Sequence, residues 1–156
     1  MKEITLDTLV EVGAALANPG RLRILALLGE GGLYVCQIRS ILNLAASTVS
    51  AHLAVLRRAG LVSEEKWGRW VQYRLTSEEP IGSVVREILH LVKDDRQIAA
   101  DADLLAAVRR VPVDGLCRAG LDLGAVGITG RGCGRRARQP SPQSGAKPAI
   151  LRPESA

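Results

Sequence analysis

Phenylalanine is absent from the chain, and two Trp and two Tyr bring the aromatic share to only 3%. A core without large rings is aliphatic, and Leu, Val, Ile and Ala favour helices over a β-sandwich. Cysteine is scarce as well, at three residues. An odd number argues against a disulfide scaffold and for thiols kept free in a reducing interior. No apolar run approaches the roughly 20 residues of a membrane span, and no positively charged start leads into an apolar signal segment. A nucleophile motif, a glycine-rich phosphate loop and a pair of apposed carboxylates are all missing. Neither histidine, His52 or His90, has a sequence reason to sit beside a cysteine. The expectation is a soluble, cytoplasmic protein with no membrane partner, no organic cofactor and no enzymatic activity.

What is present is a chain of 156 residues, one domain with appendages, 47% hydrophobic and 24% charged. Its formal net charge of +5 is unevenly spread. From Gly20 to Arg74 eight basic residues face three acids, whereas residues 1–19 and 75–117 are net acidic. A basic centre between acidic flanks suits a surface that meets a polyanion. From Arg118 onward the chain holds seven Gly and four Pro, with Arg131, Arg135, Arg136 and Arg138 clustered. That composition predicts a flexible extension. The division is therefore a folded unit over residues 1–110 and a Cys-containing, Gly/Pro/Arg-rich extension, largely flexible, over 111–156.

Periodicity places the elements. Leu6, Leu9, Val10, Val12 and Leu16 recur at helical spacing until Asn18-Pro19-Gly20 stops the helix. A second helix is expected over about Arg21–Leu28 and a third over about Val35–Leu42. Ser47 is the expected cap of a fourth, which runs to Ala59 and is closed by Gly60. Val49, Leu53 and Leu56 then face the core, leaving Ser47, Thr48, Ser50, Ala51, His52 and Arg57 outside. Leu61–Lys66 and Trp70–Leu75 read as a hairpin turning at Gly68. From Pro80 a long amphipathic helix follows, continuing with a break through Leu104, Leu105 and Val108. Its apolar positions exceed what so small a core covers, so a symmetric dimer is expected, packing back on the first helix being the alternative.

Short helices, a tight connection, a further helix with small polar residues outside, and a hairpin make a winged helix-turn-helix. The fold class is mainly α with a small β-hairpin wing, dimerising through terminal helices. A helix enters the major groove only when its outer face is slim and hydrogen-bonding. Ser47, Thr48, Ser50 and His52 supply that face, and Arg57, Arg58, Lys66 and Arg69 reach phosphates. A protein-interaction module of the same fold is the competing expectation, separable by the absence of salt-dependent DNA binding.

The stretch Ser47-Thr48-Val49-Ser50-Ala51-His52-Leu53-Ala54-Val55-Leu56-Arg57-Arg58-Ala59-Gly60-Leu61-Val62 resembles the signature of the ArsR/SmtB family of metal-responsive repressors. Asn18-Pro19-Gly20-Arg21, Trp67-Gly68-Arg69-Trp70 and Tyr73-Arg74-Leu75 extend the likeness over about residues 5–108. The resemblance implies a homodimer that occupies double-stranded operator DNA and leaves it when an inducer binds. Arsenic-sensing members carry Cys-Val-Cys and an acid before the recognition helix. Here Tyr34-Val35-Cys36-Gln37 keeps only the second cysteine. A soft, thiophilic ion wants two or three thiolates, so Cys117 and Cys133 are the candidates to complete a site with Cys36. Trivalent arsenic or antimony is then the expected inducer. Cys36 also suits a small buried hydrophobe, and Cys117 and Cys133 suit free surface thiols. A thiol-based redox or persulfide sensor of the same fold is the alternative. The zinc-sensing branch uses Asp-x-His on the dimer helix; His90 has Ile88 in the Asp position, which disfavours that site.

Overall fold

The computed structural model describes residues 3–118, 122–124 and 126–128. Cys133 and the arginines of the extension lie outside the described residues. Among the described residues, seven helices and three strands follow one another as α1 (Leu6–Leu16), α2 (Pro19–Gly29), β1 (Leu33–Tyr34), α3 (Val35–Leu42), α4 (Ala46–Arg58), β2 (Val62–Trp67), β3 (Trp70–Leu75), α5 (Ile81–Val92), α6 (Arg96–Val108) and α7 (Val113–Arg118). No single helix among them is long and apolar enough to cross a membrane.

Local chemistry sets the helix boundaries. Asn18 caps α2 by accepting the Arg21 N–H at 3.1 Å, with Pro19 at the first helical position where its missing donor costs nothing. Arg21 in turn donates to the carbonyls of Ala14 and Ala15, closing the C-terminal end of α1. At the end of α3, Asn43 takes the left-handed conformation (φ 54°), which turns the chain into α4. Gly60 does the same after α4 (φ 72°). Its N–H reaches the Arg57 carbonyl and the Leu61 N–H reaches that of Leu56, the paired bonds of a Schellman ending. Ser47 is not the cap of α4. The helix begins at Ala46 behind an extended Ala45 that makes no side-chain cap bond, so Ser47 stands in the first turn.

Helices α3 and α4 meet at 115°, the crossing of a helix-turn-helix. The core beneath them is aliphatic throughout: Ile24, Leu25, Leu27 and Leu28 of α2 meet Ile38 of α3 and Val49, Leu53 and Leu56 of α4. Strands β2 and β3 form the hairpin with Trp67 opposite Trp70 and Gly68 at φ 59° in the turn. Strand β1 pairs Leu33 with Tyr73 and Tyr34 with Gln72, so the sheet is antiparallel in the order β1-β3-β2. Two residues carry no period, which is why this strand is invisible in the pattern.

The long helix after the wing divides at Lys93-Asp94. Asp95 caps α6 by accepting from the N–H groups of Gln97 and Ile98. The two pieces have different partners. Helix α6 folds back onto α2 and α3, burying Leu105 and Val108 in its own subunit rather than offering them to a second copy. A bidentate pair fixes it there: Asp101, only 3% exposed, accepts from Arg23 at 2.6 and 2.8 Å and from Gln97 at 2.9 Å. Arg109 adds a bond to the Glu30 carbonyl at 2.7 Å. Helix α7 then lies against α3 with Leu116 buried, so residues 113–118 join the packed body although composition assigns them to the extension. Among the described residues, the large apolar side chains left uncovered are Leu6, Leu9 and Val10 of α1, Trp67 of the wing and Leu91 of α5, with Leu6 76% and Leu91 81% exposed.

Candidate functional site

Helix α4 presents a slim outer face. Ala46, Ser47, Ser50, Ala51 and Ala54 are exposed and carry at most a hydroxyl, and Thr48 is half-buried beside them. Such a face lets the helix backbone approach base edges closely. His52 is less free than its sequence position implies. It packs half-buried beside Gly20, where a Cβ would stand 3.2 Å from its Nε2. Burial, and secondly the charge of Arg21, hold its imidazole below the ordinary histidine range, so it is neutral at pH 7.

The cations around this face differ in their commitments. Arg57, at the end of α4, pairs with Glu64 of β2, which stands opposite Tyr73 of β3; the base of the wing is tied to α4 in this way. Arg58 and Lys66 are exposed and carry no ion pair among the described residues. Arg69, in the wing turn, stacks 5.0 Å over the Trp70 ring and pairs with Asp114 of α7 at 2.6 Å. Trp70 also meets Tyr34 edge-on, with ring centroids 6.2 Å apart. Exposed pairs such as Arg57–Glu64 and Arg69–Asp114 contribute about 0–1 kcal/mol, so a phosphate can displace the carboxylate. Two members of the basic centre are structural: Arg21 closes α1 and Arg23 holds Asp101. Sequence alone counts these charges alike, because their partners are distant in the chain.

Cys36 and Cys117 come together. Cys36 sits in the first turn of α3, buried, and half-buried Cys117 lies on α7, which packs against α3 and brings the second thiol near enough to act on the first. Burial foremost, then the Cys117 contact, pushes the Cys36 pKa up to about 12, so this sulfur keeps its proton at neutral pH. Gln37, which stands where arsenic-type motifs have an acid, is buried and accepts the Tyr34 N–H at 3.0 Å through Oε1, capping α3. Among the described residues no group of three His, Cys, Asp or Glu side chains is placed to hold a metal ion. Both oxygens of Asp101 are engaged, and His90 is exposed on α5. Asp114 and helix α7 are the features the sequence pattern missed. A six-residue helix behind Pro112 offers too few positions for periodicity, although Asp114, Leu116 and Cys117 within one turn were its trace.

Residues 18–64 match the profile described as bacterial regulatory protein, arsR family, from the cap of α2 into β2. The HTH-type transcriptional regulator CmtR of Mycobacterium tuberculosis is 37% identical over 103 residues, which span 64% of this chain and 87% of that protein. The arsenical resistance operon repressor of Escherichia coli is 40% identical over 72 residues, 46% of this chain and 62% of the repressor. Among solved structures, the homodimeric winged helix-turn-helix DNA-binding domain Mb0332 from Mycobacterium bovis is similar, with a TM-score of 0.51 and 32% identity. That likeness covers 57% of this chain and 82% of the domain. On the matched reading head and the length shared with CmtR, the chain belongs to the arsR family of bacterial regulatory proteins, which are DNA-binding transcriptional regulators and not enzymes.

Proposed function

We propose that this arsR-family regulator is a homodimeric repressor that leaves its operator when trivalent arsenic or antimony binds the thiolates of Cys36 and Cys117. The observation that supports this most is the proximity of Cys36 and Cys117 where α7 packs on α3. Among the described residues no His, Asp or Glu completes a group of three with the two thiols, which favours a soft ion over zinc. Cys133, of the same or the partner subunit, is the candidate third ligand. Trivalent arsenic in neutral water is an uncharged hydroxide. Each thiol replaces one hydroxide on the arsenic, and the displaced hydroxide leaves with the thiol proton as water. Two such exchanges tie α7 to α3, the first helix of the reading head.

In this account Ser47, Thr48, Ser50 and His52 face base edges, while Arg57, Arg58, Lys66 and Arg69 neutralise phosphates. The uncovered apolar side chains of α1 and α5 form the contact with a second copy. Two recognition helices are then set one helical turn of DNA apart, a spacing that tolerates little change. The relatives support regulation by a soft ion without agreeing on which. The Escherichia coli protein represses an arsenical resistance operon, and CmtR is a cadmium metal-sensor. The adjacency of the two thiols also favours a second reading, oxidative or persulfide coupling of the pair.

A fluorescence-anisotropy titration of the full chain on its own promoter DNA tests the proposal, repeated with arsenite, antimonite, cadmium, zinc and a persulfide donor. Release by micromolar arsenite or antimonite supports it. Release by cadmium alone would replace the ion, release by the persulfide donor alone would replace the trigger, and binding indifferent to all five would remove the sensing role.

A further inference from the structure

Arg69 is the tip of the wing, yet its guanidinium is turned onto α7, where Asp114 accepts from it at 2.6 Å. The same short helix packs on α3 and carries Cys117 one turn later, near Cys36. Helix α7 is lightly held: Leu116 is its one buried side chain. A six-residue element with so little buried surface moves at small cost. We infer that Asp114 is an internal rival of the DNA phosphate for Arg69, and that α7 transmits the state of the thiol pair to the wing.

The Nη2 N–H that Arg69 gives to Asp114 is not free for a phosphate, and the carboxylate charge beside it repels one. For that donor to join the operator, Asp114 has to let go, and α7 is free enough to allow it. An ion held by both Cys36 and Cys117 fastens α7 against α3 and keeps the carboxylate, at position i−3 from Cys117, beside the wing. DNA and ion thus favour opposite positions of one element, and the coupling between them is reciprocal. The second half rests on the thiol reading above, whereas the rivalry of Asp114 with phosphate stands without it. Both side chains are largely exposed, so Asp114→Asn and Arg69→Gln leave the core untouched.

The test is a double-mutant cycle on operator DNA with the full chain, using D114N, R69Q and the pair, with and without arsenite. Without arsenite D114N binds about two- to fivefold tighter for each wing, the range of an exposed ion pair released. R69Q weakens binding and lowers the salt slope by about one per wing. D114N adds nothing in the R69Q background. A D114N protein that binds more weakly, or gains as much without Arg69, overturns the rivalry, since Asp114 would then orient Arg69 or act only as a distant charge. Arsenite uptake is followed separately by its thiolate absorbance. D114N that takes up arsenite normally but loses part of the arsenite-driven release supports transmission through α7, and full release overturns it. No uptake by the wild-type protein contradicts the thiol reading and, with it, transmission of ion binding through α7, while leaving the DNA arm to decide the rivalry.

Discussion

Cys36 keeps its proton because it is buried beside another thiol, and this has a consequence that separates the candidate ions. A raised pKa means that the folded protein holds the proton across the neutral range. A divalent aquo cation such as cadmium must expel it to bind, so cadmium affinity rises with pH by about tenfold per unit for this one thiol. Arsenite carries off the proton as water and shows no such slope between pH 6 and 8. Isothermal titration at three pH values distinguishes the two. Cys36→Ser and Cys117→Ser should each leave operator affinity intact and abolish release, read by anisotropy. Normal release by Cys36→Ser contradicts the role of the pair. At this scale the sequence is legible where chemistry is local: Ser47, Ser50 and Ala51 are exposed on α4 as their spacing implies, whereas His52 is half-buried against Gly20. It was illegible where partners are distant, as for Arg69 with Asp114 or Arg23 with Asp101.

Elements long enough to show a period were readable, and short ones were not. Helices α1 to α4 and the hairpin follow from spacing, although α4 starts at Ala46 without a Ser47 cap, whereas β1 and α7, of two and six residues, leave no repeat. The fate of α6 was hidden for another reason. Leu104, Leu105 and Val108 mark an apolar face without naming what covers it, and the covering surface is α2 and α3 of the same subunit. The Arg23–Asp101 pair determines that docking and is open to test. Arg23 retains partial solvent contact, so Asp101→Ala should cost about 2 kcal/mol, the scale of hydrogen bonds to a charged group, rather than the full cost of an isolated buried ion. Urea unfolding monitored by circular dichroism gives the value. A change below a few tenths of a kcal/mol would mean that α6 is held by Leu105 and Val108 alone.

For the whole molecule, the charge pattern and the apolar surface point to different partners. The basic centre gathers around α4 and the wing, and the exposed leucines gather on α1 and α5. Charge distribution along the chain points to the first, whereas the periodicity after Pro80 overstates the second, because α6 packs on α2 and α3 of its own subunit. Leu9→Asp combined with Leu91→Asp should yield monomers in sedimentation and lower operator affinity about 10²-fold or more, as one chain loses its linked second half-site. Unchanged sedimentation would move the dimer contact elsewhere. X-ray absorption at the arsenic edge of the arsenite-loaded full chain shows whether one soft ion is held by sulfur on α3 and sulfur on α7 together. The expected first shell contains at least two sulfurs and loses one in Cys36→Ser and one in Cys117→Ser. A shell of oxygen alone, or a sulfur shell unchanged in both variants, would contradict it.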